Sequence, residues 1–235
     1  MEESSTPPLP SSSTAAATAV AEALTDSSYD GVYLNITPSA ENGDALAAFV
    51  QALRAAVPKK KLYVAASAPA RREAIPDYQA LGKAADRIVL QVSGHEDTDG
   101  AVPVYAMEPL ETVYYALSTL NDQIPGEKLA LLLTAEGRGR KGTGNPTAFS
   151  GDAVAALEAQ GRTYYSDRYA CAYLTSGSGD TAVWYLNGEA ALERARMAAF
   201  FGVDQLCLSD LSSVADYDNY NLLEGLDAGS SQVQI

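Results

Sequence analysis

Two carboxylates that follow apolar runs are the side chains best placed for acid–base chemistry. Glu136 comes directly after KLALLLTA, and Asp210 comes directly after VDQLCLS. Two carboxyl groups at a suitable separation can act as a general acid and a general base. The alternative is that both are solvated loop charges, and the sequence leaves the two interpretations open.

A basic, glycine-rich segment at residues 137–146 suits anion binding. It reads GRGRKGTGNP and concentrates Arg138, Arg140 and Lys141 in a chain whose formal net charge is −14. Guanidinium groups and exposed backbone amides bind phosphate or carboxylate well. The glycine spacing differs from that of a phosphate-binding G-x-x-x-x-G-K-[ST] loop. We therefore expect a flexible, solvated loop.

The histidine and cysteine content restricts metal and redox chemistry. His95 lies beside Glu96 and Asp97, which suits a general base but is more typical of a surface loop. Cys171 and Cys207 are too few for a disulfide framework or a four-ligand zinc site. The sequence predicts no metal and no cofactor. We expect buried free thiols, although a bridge between the two cysteines stays open.

Composition restricts the partners of this chain. With 235 residues and 47% hydrophobic content, it is long enough to bury one sizeable core. The net charge of −14 argues against nucleic acid and anionic membranes, because both favour basic surfaces. No run approaches the roughly 20 apolar residues that cross a bilayer, and no secretion signal opens the chain. The sequence predicts neither nucleic-acid binding nor membrane insertion.

Aromatic side chains are dense in the last third of the chain. They form either a platform on which sugar rings stack or the ordinary cross-strand packing of a hairpin. The residues concerned are Tyr164, Tyr165, Tyr169, Tyr173, Trp184 and Tyr185.

The elements that position these side chains alternate between strand and helix. Strands are predicted at 30–36, 61–68, 87–93, 128–135 and 203–211. Helices are predicted at about 14–24, from Asn42 or Asp44 to Val57, up to Ala85, at 109–121, from Ser150 or Asp152 to 160, and at 189–201. The runs TYYSDRYACAYLT and TAVWYLN flank residues 177–180 as an inserted β-hairpin. This alternation predicts a parallel sheet wrapped by helices.

The run YDGVYLNIT resembles the fourth barrel strand of glycoside hydrolase family 18, the chitinases and related spore-cortex and cell-wall lytic enzymes. That strand reads D-G-x-D-x-D-x-E. Asp30 and Gly31 hold its first two positions, whereas Tyr33, Asn35 and Thr37 stand where Asp, Asp and the acid Glu belong. A threonine hydroxyl does not titrate in a useful range and cannot protonate a leaving oxygen.

The resemblance extends over residues 15–212, including KLYVAASAP, ADRIVLQVSG and GEKLALLLTAEGRGR. It implies a (β/α)8 TIM-barrel type of α/β fold, with the fourth to eighth strand–helix units present and a β-hairpin inserted. We expect a Ser/Thr/Pro-rich linker at 1–14, the partial barrel at 15–218 and a tail at 219–235. The first three units lie upstream or on another chain, or else the protein is a remodelled half-barrel.

The departures from the family pattern fall on its functional positions. Ser93 and Gly94 replace a tyrosine and an aspartate that contact the sugar, and Ser209 replaces a tryptophan under the reacting ring. Thr134 and Glu136 replace a proline and a tyrosine. The resemblance therefore implies no catalytic residues. The ligand-binding candidates are Asn35, Ser93, Glu136, Arg138 and Ser209.

Three functions stay open. The first is a non-catalytic module that binds an N-acetylglucosamine polymer, chitin-like or peptidoglycan, or serves as a structural domain outside the cell or at its envelope. The second is a divergent glycosidase that uses Glu136 and a second carboxylate such as Asp210. The third is an assembly protein whose open sheet is completed by a partner chain.

Overall fold

The fold is seen in a computed structural model of the chain. It describes residues 13–25, 28–36, 43–67, 78–100, 102–142, 144–176 and 181–209. The predictions for Thr37 and Asp210, for most of the 1–14 linker and for the 219–235 tail lie outside these residues.

The helices and strands alternate along the first half of the chain, and strands cluster in the second half. The helices are α1 (Ser13–Thr25), α2 (Gly43–Ala56), α3 (Tyr78–Ala84), α4 (Leu110–Asn121), α5 (Gly151–Glu158) and α6 (Gly188–Phe200). The strands are β1 (Gly31–Leu34), β2 (Lys61–Ser67), β3 (Arg87–Gln91), β4 (His95–Asp97), β5 (Val104–Ala106), β6 (Leu129–Thr134), β7 (Gly137–Lys141), β8 (Thr147–Phe149), β9 (Arg162–Ser166), β10 (Cys171–Thr175), β11 (Thr181–Tyr185) and β12 (Leu206–Ser209).

The strands that begin the alternating pattern form a parallel sheet, as the sequence predicted. The strand order is β1-β2-β3-β6-β12. Val32 pairs with Leu62, Val64 with Ile88, and Ile88 with Leu129, all in parallel register. The centres of β2, β3 and β6 are apolar and buried, whereas Lys61, Arg87 and Gln91 stand at the ends of β2 and β3.

Two compact units divide the described residues. The first unit lies within Met1–Gln91, Ser118–Leu131 and Val203–Gln205. The second unit lies within Val92–Leu117, Leu132–Gly202 and Leu206–Ile235.

The two faces of the parallel strands differ in the first unit. Leu62, Val64 and Leu90 have no exposed surface, and neither do the α2 core residues Leu46 and Val50. Residues two apart along a strand share a face, so the opposite face carries Tyr33, Lys61, Tyr63 and Gln91. On that face Tyr33 is 44% exposed. One face therefore belongs to a helix-covered core, and the other presents aromatic and polar side chains.

Arg54 ties the end of α2 to the start of β3. Its Nη2 lies 2.5 Å from Asp86 Oδ2, and its other nitrogens donate to the carbonyls of Lys60 and Ala84. The Asp86 carboxylate also accepts from the Leu62 amide at 2.8 Å. Burial alone would raise the pKa of Asp86, but the Leu62 amide and the Arg54 guanidinium outweigh it and hold that pKa below its ordinary value.

The second unit contains an antiparallel sheet packed on α5. The strand order is β8-β7-β11-β10-β9. Val154 of α5 is buried in one cluster with Ala172, Leu174, Val183 and Tyr185 of the sheet. The Ser150 hydroxyl caps α5 by accepting from the Ala153 amide at 3.3 Å.

Two predictions for this unit are wrong. The basic segment 137–146 is not a flexible loop, because residues 137–141 form β7 between β8 and β11. The run 163–175 is not one arm of a simple hairpin, because a turn at 167–170 divides it into β9 and β10. The predicted hairpin is present as β10 and β11, but it lies inside a five-stranded sheet.

Candidate functional site

The carboxyl end of β1 carries a hydrogen-bonded cluster of neutral side chains. Gln91, the last residue of β3, donates through Nε2 to Tyr33 Oη at 3.1 Å and to Asn35 Oδ1 at 3.0 Å. Tyr33 and Asn35 share a face because they are two residues apart, and Tyr33 pairs directly with Tyr63 of β2. We call these three side chains, Tyr33, Asn35 and Gln91, the amide–phenol cluster.

The chemistry of the amide–phenol cluster is that of a polar binding surface. Two carboxamides and a phenol supply donors and acceptors that suit sugar hydroxyls and amides. None of them is an acid near neutral pH. Asp30 precedes β1 and lies at its other end, where its backbone carbonyl accepts from the Lys61 amide at 2.9 Å. A shallow groove of about 210 Å³ beside the cluster is lined by Tyr33, Tyr63 and Lys61, with Gly31 and Val32.

The remaining predicted site residues lie in the second unit. Glu136 follows β6 and is half-buried, and Ser93 is exposed after β3. Ser209, the last residue of β12, accepts from the Ala135 amide at 3.4 Å, which places it beside the end of β6. Arg138 is exposed on β7, and its Nη2 lies 2.7 Å from Glu96 Oε1. The charge of Arg138 is therefore already partnered.

Glu108 is a buried carboxyl that the sequence analysis did not single out. It lies between β5 and α4, is 4% exposed and has a backbone φ of 33°. Its Oε1 lies 2.5 Å from the Thr134 hydroxyl, whereas Oε2 has no hydrogen-bond partner in the described part of the chain. Burial raises the pKa of Glu108 to about 7, and the Thr134 hydroxyl and Arg194 oppose the rise. One signal was available, a lone acid in the apolar run VYAMEPL.

Arg194 of α6 is also fully buried. It donates to the backbone carbonyls of Met107 and Glu108 at 2.9 Å, and to those of Ala170, Ala190 and Tyr169 at 2.6, 2.8 and 3.3 Å. The only residues other than glycine with positive φ in the described ranges are Glu108 and Ala170. Arg194 therefore holds both of the unusual backbone positions.

The aromatic residues pack on one another across the antiparallel sheet. Tyr173 stacks on Trp184 with ring centroids 4.5 Å apart and on Tyr164 with centroids 5.1 Å apart. Trp184 is 3% exposed and donates through its indole N–H to the Pro103 carbonyl at 2.9 Å. Both faces of Tyr173 are covered by other rings, so this row is cross-strand packing and not an open platform for sugars.

The described residues were considered for two further features, a cluster of metal ligands and a membrane-spanning helix. Within those ranges, no group of three or more His, Cys, Asp and Glu side chains is arranged to hold a metal ion. No described helix is long and apolar enough to cross a membrane. Cys171 and Cys207 form no disulfide with each other, and Cys171 is buried.

A second groove, of about 490 Å³, lies on the helices of the second unit. Leu110 and Tyr114 of α4 line it, together with Glu193, Arg196, Met197 and Phe200 of α6. Phe200 is 76% exposed. This groove lies on helix surfaces and not at the strand ends, where barrel folds hold their sites.

The fold is similar to those of several solved enzymes. A chitinase from Chromobacterium violaceum superimposes with a TM-score of 0.74 at 19% identity, covering 93% of this chain and 71% of the chitinase. A class V chitinase from Pseudomonas fluorescens gives a TM-score of 0.74 at 17% identity, covering 93% and 72%. The Bacillus cereus spore cortex-lytic enzyme SleL gives 0.71 at 17%, covering 91% of this chain and 51% of SleL.

This chain has the chitinase and cortex-lytic fold. No protein-family model and no curated protein sequence matches it. At identities of 14–19%, the similarity establishes the architecture only. The function has to be argued from the side chains at the strand ends.

Proposed function

We propose that this chain is a non-catalytic module of the chitinase-type fold that binds an N-acetylglucosamine-containing polymer of a cell wall or spore. The amide–phenol cluster is the observation that carries the proposal. By the resemblance of YDGVYLNIT to the family's strand, it occupies the strand end at which the family has its orienting aspartate, and it offers hydrogen bonds without an acid. A location outside the cell or at its envelope goes with this proposal.

Loss of hydrolysis follows from the same side chains. General acid catalysis works best with a group whose pKa lies near the working pH and that is within hydrogen-bond reach of the leaving oxygen. The carboxamides of Asn35 and Gln91 do not ionise and a phenol ordinarily has a pKa of about 10, so the amide–phenol cluster does not meet the first condition. Glu108 meets it, because its pKa is raised to about 7, but its carboxyl is buried away from solvent and ligand. The proposal therefore predicts binding without cleavage.

The test is retention on insoluble chitin and on purified peptidoglycan, with release of reducing sugar measured in the same tubes. We expect retention and no release. Gln91→Ala removes the hydrogen bonds to Tyr33 and Asn35 and should weaken retention about fivefold, since a hydrogen bond contributes about 1 kcal/mol. Gln160→Ala is the matched control, because Gln160 follows α5 and its side-chain amide donates to the Ala156 carbonyl of that helix. Absence of retention on both polymers would reject the proposal.

A second candidate is a divergent glycosidase. The observation that favours it is the position of Glu136, half-buried directly after β6. If reducing sugar is released, Glu136→Gln should abolish the release while leaving the fold intact, and Glu127→Gln should not. Release that survives Glu136→Gln would remove Glu136 from the mechanism.

A further inference from the structure

The buried pair Glu108 and Arg194 lies where three backbone segments meet. Arg194 holds the 107–109 segment, which joins β5 to α4, through the carbonyls of Met107 and Glu108. It holds the turn between β9 and β10 through Tyr169 and Ala170. Through Thr134, the Glu108 side chain connects the same segment to the end of β6.

Every N–H of Arg194 is already used. A guanidinium has five N–H donors, and those of Arg194 donate to five backbone carbonyls, with Nε, Nη1 and Nη2 all engaged. No N–H group of Arg194 is left to donate to the Glu108 carboxylate. Arg194 therefore stabilises that carboxylate only by the electrostatic attraction of its charge. A buried carboxylate without sufficient hydrogen bonds is unfavourable.

Glu108 itself has one hydrogen-bond partner for two oxygens. Thr134 donates to this carboxyl through its hydroxyl, which serves Oε1, and through its backbone amide, whereas Oε2 is unpartnered within the described ranges. A protonated carboxyl fits this environment, because the neutral form needs fewer donors. An ionised carboxyl is more stable in water than in this buried position, so ionisation favours a conformation in which the 107–109 segment is exposed.

We propose that Glu108 and Arg194 form a proton-operated latch, in which loss of the Glu108 proton releases the 107–109 segment from α6 and from the end of β6. Among the described residues, two titratable groups interact electrostatically with Glu108. They are the charged Arg194 of α6 and the Cys171 thiol of β10. Burial raises the pKa of the Cys171 thiol to about 11, so the thiol is neutral throughout the range in which Glu108 titrates.

The latch is tested by hydrogen–deuterium exchange between pH 5.5 and 8.5, corrected for intrinsic exchange rates. Peptides that cover residues 104–113 and 167–174 should lose protection as pH rises. In water the Glu108 pKa returns from about 7 to its ordinary 4.5, so the opening equilibrium increases by about 30-fold between pH 5.5 and 8.5. We expect a loss of at least about tenfold in these peptides.

Two variants separate the latch from general pH effects. Glu108→Gln keeps a neutral group beside Thr134 and should make protection independent of pH. Glu111→Gln alters an exposed acid in the first turn of α4 and should retain the dependence of the unmodified chain. Constant protection in the unmodified chain, an unchanged dependence in Glu108→Gln, or a lost dependence in Glu111→Gln would each overturn the proposal.

A measurement on the unmodified protein covers the case in which Glu108→Gln does not fold. The carboxyl carbon of Glu108, followed by NMR with ¹³C-labelled glutamate, should titrate near pH 7. A midpoint near 4.5 would overturn the latch. This inference does not depend on glycan binding.

Discussion

Single side chains determine the binding and acid–base properties of the strand ends of this protein. The sequence alone does not reveal the partners of several of these side chains. Gln91 lies inside a predicted strand, but its hydrogen bonds reach Tyr33 and Asn35, more than 50 positions earlier. Glu108 is likewise stabilised by Thr134 and Arg194, which follow it by 26 and 86 positions. The resemblance to the family's strand motif singled out Asn35 as a candidate, whereas the partners of Asn35 required the three-dimensional register.

At the residue scale, Glu108 should make folding stability depend on pH. Its pKa is about 7 in the folded chain and ordinary, 4.5, when unfolded, so the folded state retains a proton that the unfolded state releases. The stabilisation is complete below pH 4.5 and is lost as pH rises through about 7. The loss amounts to about 3 kcal/mol by linkage.

Urea unfolding at several pH values measures this loss. Other groups also titrate, so the informative quantity is the difference between the unmodified chain and Glu108→Gln. We expect that difference to shift by about 3 kcal/mol between pH 4.5 and 8.5. Glu111→Gln should follow the unmodified chain throughout. A constant difference between the unmodified chain and Glu108→Gln would show that Glu108 titrates normally.

At the scale of elements, apolar runs predicted the parallel strands well and the antiparallel sheet poorly. The strands β2, β3 and β6 have apolar centres, in which Val64, Ile88 and Leu131 are fully buried, and such runs stand out in a sequence. By contrast, β7 reads GRGRK, which is typical of a solvated loop. Its strand structure depends on pairing with β11, and pairing partners are not encoded in local composition.

The close pairing of β7 with β11 can be tested at a glycine of β7. Gly139 lies opposite Val183, and a Cβ at Gly139 would come within 2.1 Å of the Ala182 carbonyl oxygen. Gly139→Ala should therefore destabilise the protein by at least about 2 kcal/mol, because backbone must move to admit the methyl group. Gly100→Ala is the control, since its nearest contact would be an ordinary 3.5 Å from Val102. Equal urea midpoints for both variants would contradict a β7–β11 pairing this close.

At the scale of the whole molecule, the open side of the parallel sheet raises the question of assembly. The strand β1 lies at the edge of the sheet order and has only four residues. Tyr33 on β1 is 44% exposed and Tyr63 beside it is half-buried. An open edge with exposed aromatic side chains invites pairing with another chain, whereas a short strand opposes it.

We expect the purified chain to be a monomer of 24.7 kDa, because a net charge of −14 makes copies repel one another and β1 offers little length for pairing. Size-exclusion chromatography with light scattering, at low and high salt, measures the mass. High salt screens the repulsion between copies. A monomer in both conditions would therefore show that the β1 edge does not pair with a second copy even when that repulsion is weak. A mass of twice that value or more would favour the assembly function, and Tyr33→Lys should then restore the monomer, because a charge on an edge strand opposes pairing.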